Sequence, residues 1–136
     1  MVLLRYLLDT NILSDLIKNP AGAAAKKIAT LDSENMCCTS LIVACELRYG
    51  AHKKASAALT TRVEQLLNSI AVLPLEEDIT AHYAELRTEL ERRGQPIGGN
   101  DLLIAAHARA KGLIIVTANT KEFTRIPDLP VENWLE

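Results

Sequence analysis

Residues 3–11 read LLRYLLDTN, an apolar run broken by Arg5 and closed by Asp9, Thr10 and Asn11. A strand buried on both faces has this near-continuous hydrophobicity, and it delivers the polar residues that follow at its carboxyl end. Outward from it, Ile12 to Lys18 reads as a short helix. Pro20 can occupy the first turn of a second helix through AGAAAKKIATL, where a missing backbone N–H costs nothing. Met36 to Thr39 makes a second short strand. Ser40 ahead of LIVACELRYG and Gly50 at its end are helix start and stop signals. Leu59, Val63, Leu66, Leu67 and Ile70, then Ile79, Tyr83, Leu86 and Leu90, recur at helical spacing and predict two amphipathic helices, with a strand over 71–75 between them. Gly94-Gln95-Pro96 interrupts the chain before Asp101 opens a helix through DLLIAAHARAKG. Leu113 to Thr117, LIIVT, is the clearest buried strand, and the tail from Pro127 to Trp134 reads as a closing turn and edge strand. Strands separated by helices of this length predict an α/β sandwich with a mostly parallel central sheet, in which ligands sit beyond the carboxyl ends of the strands. Asp9 and Thr117 to Asn119 lie at such ends.

At 136 residues the chain has the size of one ordinary domain, so one domain over 1–136 is expected, with any site built inside a single core or across an oligomer interface. Hydrophobic residues make up 49% of it, with one Phe and one Trp, which supports an aliphatic core without disulfides. The odd count of 3 cysteines, with Cys37 and Cys38 adjacent, suits a reducing compartment and predicts a cytoplasmic protein. The apolar run in residues 1–11, MVLLRYLLDTN, is too short and too interrupted by Arg5 for a signal sequence or a membrane span. With 15 basic against 17 acidic residues, composition gives no prior for unspecific nucleic-acid binding. Local patches would have to supply it. Lys53-Lys54, Arg92-Arg93, Arg109 with Lys111, and Lys121 with Arg125 are available as a phosphate-contacting rim, although such pairs are often plain solvated surface.

The informative residues are acids in apolar surroundings: Asp9 after LLRYLL, Glu46 within LIVACELRYG, and Asp101 before LLIAAHA. A carboxylate withdrawn from water costs several kcal/mol unless paired, and a divalent cation can satisfy several carboxylates at once. Hard oxygen donors with no His or Cys cluster favour magnesium or manganese. Plainer readings stand beside this one. Asp9 and Asp101 each suit a helix N-cap, and an arginine partner would explain Glu46. His52, His82 and His107 lack metal-ligand spacing and are expected to be structural.

The segments LLDTNILSDL, TSLIVACELRYG, GQPIGGNDLLIAAHARAKG and LIIVTANTKEFTRIP, in that order, resemble the successive motifs of PIN-domain nucleases, most closely the VapC toxins of VapBC toxin–antitoxin pairs. The likeness runs from about residue 4 to the tail. It implies a PIN-like three-layer sandwich with acids gathered at one end of the sheet, which map onto Asp9, Glu46 and Asp101 as catalytic and metal-holding residues. Asn119 takes the fourth place, where many PIN domains carry Asp. Its carbonyl can hold a water, but one negative charge is lost and a second ion should bind more weakly. Asn11, Ser40 and Thr117 follow as residues that orient ligands or phosphate. The implied activity is that of a toxin: a magnesium- or manganese-dependent endoribonuclease that cuts structured RNA, transfer RNA first, with a metal-activated water, leaving a 3′-hydroxyl and a 5′-phosphate. The implied partners are a second copy in a homodimer and a VapB-like antitoxin over the acidic groove.

Three rivals fit less well. A haloacid-dehalogenase-type phosphatase needs a second acid two residues after the first, where this chain has Asn11; a receiver domain needs an early acidic pair and a lysine directly after a late strand. A catalytically silent PIN fold that only binds RNA or a partner would retain Asp9, Glu46 and Asp101 as mutually repelling charges with no duty.

Overall fold

The computed structural model describes residues 3–136, so the first two residues of the amino-terminal run considered as a leader lie outside the described residues. Five short strands form one sheet: β1 (Tyr6–Leu8), β2 (Cys37–Ser40), β3 (Ala71–Leu73), β4 (Ile114–Val116) and β5 (Val131–Glu132). Their spatial order is β3-β2-β1-β4-β5, and every pairing is parallel. The expected mostly parallel sheet is therefore parallel throughout. Between the strands run helices α1 (Thr10–Lys18), α2 (Ala23–Ala29), α3 (Leu41–Lys54), α4 (Ala57–Ser69), α5 (Asp78–Arg92), α6 (Gly99–Ala110) and α7 (Thr120–Phe123).

Successive strand residues point to opposite faces, so a strand buried at every position has helices on both sides. Tyr6–Leu8 and Cys37–Ser40 are buried throughout, which makes the molecule three layers deep. Leu7, Leu8, Ile12, Ile104, Ile115 and Phe123 are among the fully buried side chains of the core. Each contributes about 1.5–3 kcal/mol by leaving water. Helix α1 packs on α2, α3 and α4, and α5 pairs with α6.

Several boundaries differ from the sequence reading. Strand β1 starts at Tyr6 because both its neighbours begin pairing there, and Leu3 is left 73% exposed. Pro20 sits in the turn before α2, whose N-cap is Gly22, so it opens no helix. Gly50 does not stop α3. The helix runs one further turn to Lys54 and ends where Ala55 turns left-handed at φ 52°. Helix α6 begins at Gly99 with Gly98 as its cap, which puts Asp101 inside the first turn. The short helix α7 and a 3-10 turn over Glu34–Met36 had no periodic signal, being too short to show one.

Candidate active site

The strand order reverses its direction of growth between β1 and β4, and a crevice opens at the carboxyl ends of such a pair. Asp9 follows β1 directly and is 3% exposed. Its extended backbone makes it the N-cap of α1, with the Thr10 N–H donating to Oδ1 at 2.8 Å. The Thr117 hydroxyl donates to the other oxygen at 2.8 Å. Cap and site readings of Asp9 thus coincide. Thr117 in turn accepts the Asn119 N–H at 2.9 Å and the Asn11 amide at 3.4 Å, while the Asn11 carbonyl takes the Ala118 N–H at 2.9 Å. Asn11 and Thr117 therefore join the two strand ends and aim Asp9.

Glu46 comes from the middle of α3 and, among the described residues, has no arginine partner; the Thr10 hydroxyl donates to it at 2.7 Å. Asp101 comes from the first turn of α6, where the Asn119 amide nitrogen donates to it at 3.1 Å. Asp9, Glu46, Asp101 and Asn119 all line one open cavity of about 500 Å³, with Asp15 and Lys18 farther along α1. Among the described residues no three His, Cys, Asp or Glu side chains converge as a ready-made metal cage. The carboxylates share a cavity without meeting at one point, as like charges tethered by separate donors should.

Burial pushes the Asp9 carboxyl up, against the hydrogen bonds from Thr117 and Thr10 that hold it down, and the Glu46 charge adds to the rise. The Asp101 carboxyl is pushed up to about 7, first by burial, then by a hydrogen bond with the Glu122 carboxyl and by the charges of Asp9, Glu122 and Glu46. Hard oxygen donors with this surplus of negative charge fit a divalent cation, and Asp9, Asp101 and Glu46 are the residues that would hold it.

The sequence pattern of the PIN domain matches residues 6–129. The chain belongs to the PIN-domain family, on its VapC branch. Ribonuclease VapC2 of Rickettsia felis is 41% identical over 130 residues, which are 95% of this chain and 97% of that one. The tRNA(fMet)-specific endonuclease VapC of Shigella flexneri is 39% identical over 97% of this chain and 99% of its own. In the crystal structure of VapBC2 from Rickettsia felis bound to a DNA fragment from their promoter, one chain superposes with a TM-score of 0.89 at 39% identity, covering 96% of this chain and 99% of that chain.

Within this PIN domain one second-rank residue falls elsewhere than expected. Ser40 is fully buried and does not line the cavity: its hydroxyl caps α3 by accepting the Ile42 N–H at 3.2 Å and meets His107 Nδ1 at 2.7 Å. It fixes the start of the Glu46 helix. Cys37 and Cys38 are buried, with their thiols pushed up to about 11 and about 12, mainly by burial, so neither is a nucleophile. Sequence reasoning missed Glu122 and Asp15. Glu122 returns beside Asp101 the charge that Asn119 lacks. Its one signal was position, an acid three residues after the strand-end Asn119 and so one helical turn further on.

Proposed function

We propose that this protein is the toxin of a type II toxin–antitoxin pair, a single PIN-like domain that acts in the cytoplasm as a magnesium- or manganese-dependent endoribonuclease on structured RNA, with transfer RNA as the first candidate. The observation that carries this reading is the gathering of Asp9, Glu46 and Asp101 around one cavity at the β1/β4 crevice, with the Asp101 carboxyl pushed up to about 7 first by burial and then by its acidic neighbours. The names of the Rickettsia and Shigella relatives support RNA as the substrate. Three free cysteines agree with a reducing compartment, and among the described residues no helix is long and apolar enough to cross a membrane.

A divalent cation at these carboxylates supplies the Lewis acidity that lowers the pKa of a water and offsets phosphate charge. Asp9, aimed by Thr117 and the Thr10 N–H, and Asp101, held by Asn119, form the charged floor. Glu46, restrained by the Thr10 hydroxyl, positions the attacking water, and Asn119 steadies Asp101 through its amide nitrogen. Water adds its oxygen to phosphorus, the bond from phosphorus to O3′ breaks, and O3′ leaves with a proton as a hydroxyl. No histidine is called on: His107 is buried and its pKa is lowered, mainly by burial.

The implied partners fit two surfaces. The outer side of α3 exposes Leu41, Cys45 and Tyr49 at four-residue steps, an apolar stripe suited to a second copy. A VapB-like antitoxin would cover the acidic cavity, and the likeness to the Rickettsia VapBC2 structure supports such a pairing. An arginine offered by that partner would satisfy the carboxylates in place of a cation.

Purified protein incubated with total cellular RNA should yield discrete products with magnesium or manganese and none with chelator. Asp9→Asn and Asp101→Asn should each abolish them while leaving the fold intact. Cleavage that survives chelation, or persists in both variants, would overturn the assignment.

A further inference from the structure

Two of the four basic pairs that the sequence offers as a phosphate-contacting rim are already engaged by carboxylates. Arg92 and Arg93 both bind Glu89 at 2.9 Å, Arg109 binds Glu85, and Lys111 binds Glu76 and Asp78. A side chain already engaged by a carboxylate must give up that contact to take a phosphate, so its net gain is small.

Lys18, by contrast, has no basic neighbour in sequence, yet among the described residues it is the one cation lining the acidic cavity. It also lines an adjoining groove of about 200 Å³ between α1, α3 and α4, where Ile17, Leu47, Leu59 and Val63 supply apolar lining and Lys54 is the other cation. Thr10, Ser14 and Glu46 line both hollows as Lys18 does, so groove and cavity are continuous. Both lysines are exposed, and among the described residues neither makes an ion pair. A polyanion that brings one phosphate to a cavity of four carboxylates is repelled there, and nearby unpaired cations are what would hold its flanking phosphates.

We propose that Lys18 and Lys54 form a two-lysine track that carries the phosphates of a bound RNA strand from the acidic cavity across the α1–α3–α4 groove. This rests on the ribonuclease reading for its ligand and adds the direction in which the strand leaves. Each lysine also sits in the last turn of a helix, where a cation stabilises the carbonyl end. Melting temperature is therefore measured beside binding.

The test compares Lys18→Gln and Lys54→Gln with Lys53→Gln and Arg92→Gln. Lys53 adjoins Lys54 but has its ammonium over the Tyr49 ring, 5.9 Å from the centroid, and lines neither hollow. Binding of fluorescently labelled, unfractionated transfer RNA is followed by anisotropy between about 50 and 200 mM KCl, and kcat and KM by cleavage of the same RNA. Each track variant should weaken binding and raise KM about five-fold, hold kcat within about two-fold, and flatten the log–log salt slope by about 0.7, the loss of one single-strand phosphate contact. Arginine at either position should restore the slope, and the two controls should match wild type. Track variants with wild-type affinity and slope would overturn the proposal and leave the groove to a protein partner. Controls that lose as much as the track variants would also overturn it, because the effect would then be general charge. A wild-type protein that binds transfer RNA without cutting it would defeat the nuclease reading alone, and the binding arm would still decide the track.

Discussion

The Asp101 carboxyl, at about 7 against an ordinary 3.8, ties the site to stability through proton linkage. The folded state holds this proton more tightly than the unfolded chain. Its contribution is therefore complete below the unfolded value near 3.8 and is lost as pH rises through the folded value near 7. His107 works in the opposite direction: its lowered pKa removes stability as pH falls below its ordinary 6.5. Comparison of two variants over the same range cancels that background. Without divalent cations, Asp101→Asn should melt near the wild type at about pH 4 and progressively above it as pH rises to about 7, the margin levelling off beyond that. Calorimetric scans across this range, repeated with magnesium, check it. A margin that does not grow with pH would remove the charge surplus from the account, and magnesium should shrink the margin by stabilising only the wild type. At this scale the sequence disclosed three of the acids, because a carboxylate amid apolar residues demands a reason. It did not disclose Glu122, which lies in the mostly polar stretch Thr120-Lys121-Glu122-Phe123-Thr124 and so looks like ordinary surface.

Helices α3 and α6 show how far local signals reach. Ser40 caps α3 as its hydroxyl and position predict, whereas Gly50, the expected stop, lies within the helix. Glycine terminates a helix when its backbone turns left-handed, and here that turn is made by Ala55. A methyl group at position 50 would meet nothing within 4 Å. Gly50→Ala should therefore stabilise the protein by about 1 kcal/mol, the helical cost of glycine relative to alanine. Urea denaturation reads this directly, and a lowered midpoint would mean that the groove beside Gly50 cannot accept the methyl. In α6 the shift is toward the amino terminus: the helix starts at Gly99, a weak former, because the turns after Asp101 are anchored by Leu102, Ile104 and Ala105 in the core. Packing of the later turns recruits the earlier ones, and Asp101 becomes a first-turn side chain facing the cavity.

On the scale of the whole molecule, α3 is buried on one side through Val43, Ala44, Leu47 and Ala51, yet carries Leu41, Cys45 and Tyr49 outside. An exposed apolar stripe on a small protein implies a covering surface. Sedimentation velocity should give twice the 14.9 kDa chain mass, and Tyr49→Lys should return it to the monomer with an unchanged melting profile in dilute solution. A wild type that sediments as a monomer at micromolar concentration would exclude the homodimer. Taken alone, the sequence determined the alternation of buried strands and amphipathic helices, the parallel sheet, and the acids Asp9, Glu46 and Asp101, since each is written in local hydrophobic spacing or in a charge set against it. The tertiary structure alone decided which polar groups meet: Thr117 with Asp9, Thr10 with Glu46, Glu122 with Asp101, and Lys18 as the cation at the cavity. Those pairings join residues on different elements, and their geometry exists only once β1 and β4 lie side by side with α1, α3 and α6 packed over their ends.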